Sequence, residues 1–133
     1  MFVTDTHSLL WYFNSKHSAL SPKVLSTFQK AENAEIVIYI PLVVLWEIAL
    51  LEKRGRIVLK DGFEKWSRKI LSKSGFAVAH LETEIIAKSV GYNFNEDPFD
   101  AAIVTTAARK QLTLRKWENS PRKAFILVCL VKK

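Results

Sequence analysis

The sequence predicts an α/β fold: a mostly parallel sheet covered by helices on both faces. Short β-branched or aromatic runs alternate along the chain with amphipathic stretches at helical spacing, which is the pattern of strand-crossover-strand units. The composition agrees, with 49% hydrophobic and 25% charged residues in a chain of 133, the profile of one ordinary domain. A chain of this size buries roughly two-thirds of its unfolded surface and needs no disulfide or structural metal. The whole of 1–133 is therefore read as a single domain.

Each element follows from local chemistry. Met1 to Thr4 is a short apolar run suited to a buried strand, and Asp5-Thr6 offers N-caps for a helix over His7 to Phe13. Ser21-Pro22 is a stronger helix start, with Val24, Leu25 and Phe28 on one face up to about Ala34. Ile36 to Ile40 reads as a second strand, after which Pro41 opens a helix through Leu45, Ile48 and Leu51 that ends at Gly55. Asp61-Gly62 leads into a helix carrying Phe63, Trp66, Ile70 and Leu71, closed by Gly75. Phe76 to Ala79 is the third strand, Glu82 to Val90 a helix, Asp97-Pro98 the start of another running to about Lys110, and Leu112 to Leu114 a fourth strand. Ala124 to Val131 is apolar enough either to close the sheet or to leave an exposed edge.

The formal charge of +7 points to a negatively charged partner only if the charge lies in the right place. Residues 1–108 carry 12 basic and 12 acidic side chains, whereas residues 109–133 carry 8 basic ones against Glu118 alone. The body is neutral and the tail holds the excess. One cysteine, Cys129, makes no internal disulfide and no cysteine-based zinc site. Asp5 and His7 interrupt any signal-peptide pattern, and the apolar stretch Ile36 to Leu51, broken by Pro41 and Glu47, falls short of the ~20 residues that span a membrane. A cytoplasmic protein without membrane attachment is expected.

In parallel α/β sheets ligands sit beyond the carboxyl ends of the strands, and acidic residues fall there. Asp5 ends the first strand; it either caps the next helix or faces the cleft. Glu47 sits in a helix that is apolar almost all round, where an unpaired carboxylate costs several kcal/mol. An ion pair with a buried Arg or Lys, or a bound cation, would compensate it. Asp97 suits an N-cap, and Asp100, in the first turn of that helix, either complements the helix dipole or reaches the same cleft as Asp5. Three carboxylates meeting at one edge repel one another unless a divalent cation neutralises them, and all-oxygen ligands select Mg²⁺ or Mn²⁺. Such a site activates water and clamps a phosphodiester without a cysteine or histidine nucleophile. His7, His17 and His80 lack the spacing of a histidine metal site, with His7 expected in a helix-surface or packing role, and no Gly-rich phosphate loop or Gly-x-Ser-x-Gly elbow occurs. Trp11, Trp46 and Trp66 are expected in the core.

Three separated motifs are similar to those of the PIN-domain ribonucleases, and most of all to VapC-type toxins of bacterial type II toxin–antitoxin pairs. They are Phe2-Val-Thr-Asp5-Thr-His-Ser-Leu-Leu-Trp11, Val44-Leu-Trp-Glu47-Ile-Ala with Lys53-Arg-Gly-Arg-Ile57, and Asp97-Pro-Phe-Asp100-Ala-Ala-Ile-Val-Thr-Thr-Ala-Ala-Arg109. The resemblance runs in order from residue 2 to about Leu114. It implies a three-layer α/β/α fold, Mg²⁺ or Mn²⁺ dependence, endonucleolytic cleavage of RNA, a homodimer, and a cognate antitoxin whose tail fills the active-site groove. Carried over by motif, Asp5, Glu47 and Asp100 are the metal-binding, catalytic acids. Asp97 matches a residue that precedes the third acid, and Thr6 one that orients water or phosphate.

The resemblance stops at residues 115–133. The family follows this strand with a Thr and a further acid, whereas here the chain runs Arg115-Lys-Trp-Glu118-Asn-Ser-Pro, with Glu118 the sole substitute and out of register. Composition changes at the same point, as a shifted reading frame would produce. The leading expectation is a metal-dependent endoribonuclease weakened by the missing acid. The alternative is a catalytically impaired PIN-like module that binds RNA or antitoxin without cutting. A generic basic nucleic-acid-binding protein rests on net charge alone.

Overall fold

The computed structural model describes residues 2–90, 103, 106, 112–115 and 128–131. Strands β1 (Phe2–Val3), β2 (Ile38–Pro41) and β3 (Phe76–Ala79) form a parallel sheet in the order β1-β2-β3, with Phe2 opposite Ile38 and Ile38 opposite Phe76. Parallel neighbours need crossover connections, and each crossover carries two helices. α1 (Thr6–Phe13) and α2 (Pro22–Glu32) join β1 to β2, and α3 (Leu42–Lys53) and α4 (Gly62–Leu71) join β2 to β3. α5 (Thr83–Ser89) follows β3. β4 (Leu112–Arg115) and β5 (Val128–Val131) pair antiparallel, Leu112 opposite Val131, and β5 lies against β1. The apolar end of the chain thus supplies a strand.

Helix starts follow the residues that can satisfy their free N–H groups. Asp5 caps α1 by accepting from the Ser8 N–H at 3.0 Å, and the Ser21 hydroxyl accepts from Val24 N–H at 3.4 Å with Pro22 in the first turn of α2. α4 starts differently from expectation. Asp61 is left-handed (φ 63°) and makes no capping bond; the Glu52 carboxylate, from α3, accepts from Phe63 N–H at 3.1 Å instead. β2 begins at Ile38, two residues later than the apolar run, although Val37 already accepts from Phe2 N–H at 3.1 Å. Of the helix expected from Asp97, Ile103 and Thr106 are helical and buried, while its start lies outside the described residues.

The core gathers on the central strand. Ile38 and Ile40 are fully buried with Leu9 of α1, Val24 of α2, and Val44 and Ile48 of α3, each such side chain contributing about 1.5–3 kcal/mol. Of the three tryptophans expected in the core, Trp66 is buried and Trp11 half-buried against it, but Trp46 is 59% exposed. Because α3 is apolar almost all round, periodicity does not select its buried face. Val44 and Ile48 take the core, and Trp46, two positions from each, turns away and walls a groove of about 420 Å³ with Leu42, Phe63 and Leu81.

The amino-terminal end of the sheet is clamped. Tyr12 stacks on Phe28 with ring centroids 4.7 Å apart and donates its hydroxyl to Glu32 at 2.5 Å, while Lys73 lies 3.2 Å from the same carboxylate. The Tyr12 hydrogen bond, with help from Lys73, holds Glu32 below the usual carboxylate range. Gly75 then leads into β3 directly over α2. A Cβ placed there would lie 1.7 Å from the Ala31 carbonyl oxygen, a backbone atom that no rotamer change moves. Gly75→Ala is therefore expected to lower unfolding stability by about 3 kcal/mol, the upper end of overpacking costs, measured by urea denaturation; a loss below about 0.5 kcal/mol would contradict this packing.

Candidate metal centre

The site is built at the carboxyl edge of the parallel sheet, from residues that follow two adjacent strands. Thr4 N–H bonds the Tyr39 carbonyl at 3.0 Å, which fixes where the chain leaves β1. Asp5 comes next in extended conformation (φ −94°, ψ 175°), and its side chain folds back over the first turn of α1. It is 6% exposed. Burial pushes its carboxyl pKa up, against the hydrogen bonds from Ser8 and the nearby His7, which pull it down. Both readings of Asp5, helix cap and cleft acid, are compatible, because a cap uses one carboxylate oxygen.

Glu47 lies in the second turn of α3, the helix that follows β2, and is half-buried. Its Oε2 accepts a hydrogen bond from the Thr6 hydroxyl, 41 residues back in the chain. Thr6 is buried and follows Asp5 in the chain, so this bond ties Glu47 to the start of α1. Two ways are open to compensate Glu47, an Arg or Lys or a bound cation, and the ion pairs Arg68–Glu64 and Lys73–Glu32 do not involve it. Buried Asp5 and half-buried Glu47 thus each take a hydrogen bond from α1, one from Ser8 N–H and the other from the Thr6 hydroxyl.

Of the three expected acids, Asp5 caps α1 and Glu47 bonds the first residue of that helix. Asp100 lies outside the described residues, as do Asp97 and Glu118. Among the described residues no group of three or more His, Cys, Asp or Glu gathers. Asp5 and Glu47 carry oxygen donors only, the donor type that hard ions such as Mg²⁺ and Mn²⁺ prefer. His7 is exposed and tilts against Trp11 at 5.7 Å, a surface packing role. Thr6 was expected to orient water or phosphate; its described contact is to Glu47, which motif position alone did not reveal because the partner is remote in sequence.

No protein-family model matches the chain, and neither does any curated protein. No described helix is long and apolar enough to cross a membrane.

A buried acid retained against its desolvation has a measurable signature. In the metal-free protein the folded pKa of Asp5 lies above its unfolded value, so stability falls as pH rises from about 4 through the folded pKa and stays lowered at neutral pH. Asp5→Asn keeps a good cap and removes the titration. With chelator present it is expected to raise Tm at pH 7 and to lose that advantage by pH 4. A variant equally destabilised at both pH values would refute the argument.

Proposed function

We propose that the chain is a Mg²⁺- or Mn²⁺-dependent endoribonuclease, acting as the toxin of a toxin–antitoxin pair. The observation that carries this reading is the Thr6–Glu47 hydrogen bond, which draws Glu47 toward buried Asp5 at the edge where α/β sheets bind ligands. The resemblance of the three motifs to PIN-domain ribonucleases supplies the reaction class, the RNA substrate, the homodimer and the antitoxin partner.

In this reading Asp5 and Glu47, joined by Asp100, hold the cation. A divalent ion held there would supply activation of water and charge neutralisation on the phosphodiester. Asp5, anchored on the Ser8 N–H through one oxygen, directs its other oxygen without rotating freely. Thr6 fixes Glu47 in the same way, so the carboxylates are positioned before substrate arrives, which lowers the reorganisation needed at the transition state.

A second reading, a PIN-like module that binds RNA or antitoxin without cleaving, is favoured by the ending after Leu114, where Glu118 is the only acid. Cleavage separates the two. The purified chain is expected to cut single-stranded RNA with Mg²⁺ or Mn²⁺ and not with chelator, and Asp5→Asn or Asp100→Asn is expected to reduce the rate at least 100-fold with the circular dichroism unchanged. Metal-dependent cleavage by Asp5→Asn at the wild-type rate would overturn the assignment, and binding without cleavage by the wild type would establish the second reading.

A further inference from the structure

We propose that the turn after α3 is a phosphate track that positions the RNA strand, with Arg54 as its positioning residue; this rests on the endoribonuclease reading. Lys53, Arg54, Arg56 and Lys60 are four exposed cations within eight residues that contain no acid. The two flanking acids do not neutralise them through described ion pairs. The Glu52 carboxylate accepts from Phe63 N–H, and the described ion pairs, Arg68–Glu64 and Lys73–Glu32, use neither these cations nor Asp61.

The backbone fixes where the cations stand. α3 ends in left-handed Gly55 (φ 69°), with Gly55 N–H bonded to the Glu52 carbonyl and Arg56 N–H to the Leu51 carbonyl, both at 2.9 Å. This double-bonded helix end holds Arg54 and Arg56 on either side of the glycine instead of leaving them on a loose loop. Arg54 follows Glu47 by seven residues, about 20° short of two full turns, so both stand on the same side of α3. At 1.5 Å per residue they are about 10 Å apart along the axis. That is about three nucleotides at the 3.4 Å stacked rise of one strand. A strand whose reacting phosphodiester lies at Asp5 and Glu47 would therefore meet Arg54 a few phosphates away. Guanidinium groups suit this because their fork of N–H donors matches phosphate oxygens. Val58, 88% exposed between Arg56 and Lys60, leaves the track open instead of folding over it.

The test compares two variants that lose the same charge. The full-length chain, Arg54→Gln/Arg56→Gln and Lys16→Gln/Lys30→Gln are titrated with a fluorescent single-stranded RNA in chelator from 50 to 250 mM salt, and cleavage is then measured with Mg²⁺. Losing two phosphate contacts is expected to weaken binding roughly tenfold and to reduce the log Kd against log salt slope by about 1.4, at about 0.7 per contact on a single strand. In cleavage, KM rises and kcat holds. The Lys16/Lys30 variant, whose cations lie outside α3 and its turn, is expected to bind like wild type. No loss in the arginine variant, or equal loss in both, overturns the track while RNA cleavage by the wild type leaves the endoribonuclease reading standing. A wild type that neither binds nor cleaves RNA overturns both.

Discussion

The Asp5 carboxylate is held by the first turn of α1 and by no described cation, and the carboxyl edge of the sheet is organised around it. The strand-to-helix turn buries the acid because Thr4 still pairs with β2 while Ser8 already donates from within the helix. Desolvation then raises the pKa. A chain selected for stability alone would place Asn or Ser there, either of which caps as well without the charge. The penalty would be offset if a divalent ion neutralised the group, as the proposed function requires of this cap.

The two ends of the sheet divide the work. At the amino end, aromatic stacking, the Tyr12–Glu32–Lys73 chain of contacts and the close pass of Gly75 over Ala31 fix α2 against β3. At the carboxyl end the contacts are polar and few, chiefly Ser8 to Asp5 and Thr6 to Glu47.

Much of this was legible in the sequence, for identifiable reasons. Strands β1 and β3 stand where short apolar runs ended at turn residues, and α1 and α2 begin where Asp5 and Ser21 offered caps. What escaped were relations between distant segments. Glu52 capping α4 and Thr6 bonding Glu47 join residues 11 and 41 positions apart, and no local pattern encodes either. Trp46 escaped for a different reason: with apolar residues on every side of α3, hydropathy carries no direction. Glu47 stood out in sequence because a carboxylate in such a helix demands compensation; the described contact it makes is with the Thr6 hydroxyl.

In the proposed function Asp5 and Glu47 share one divalent ion. Calorimetric titration of the chelator-stripped protein with Mn²⁺ tests it most directly, without RNA or turnover. The account predicts one site with a Kd well below 1 mM, weakened at least tenfold in Glu47→Gln and in Asp5→Asn alike. Thr6→Val, which removes the bond that holds Glu47, should weaken it less, and Thr6→Ser should restore it. Millimolar or weaker binding by the wild type, or binding unchanged in both acid variants, would contradict it.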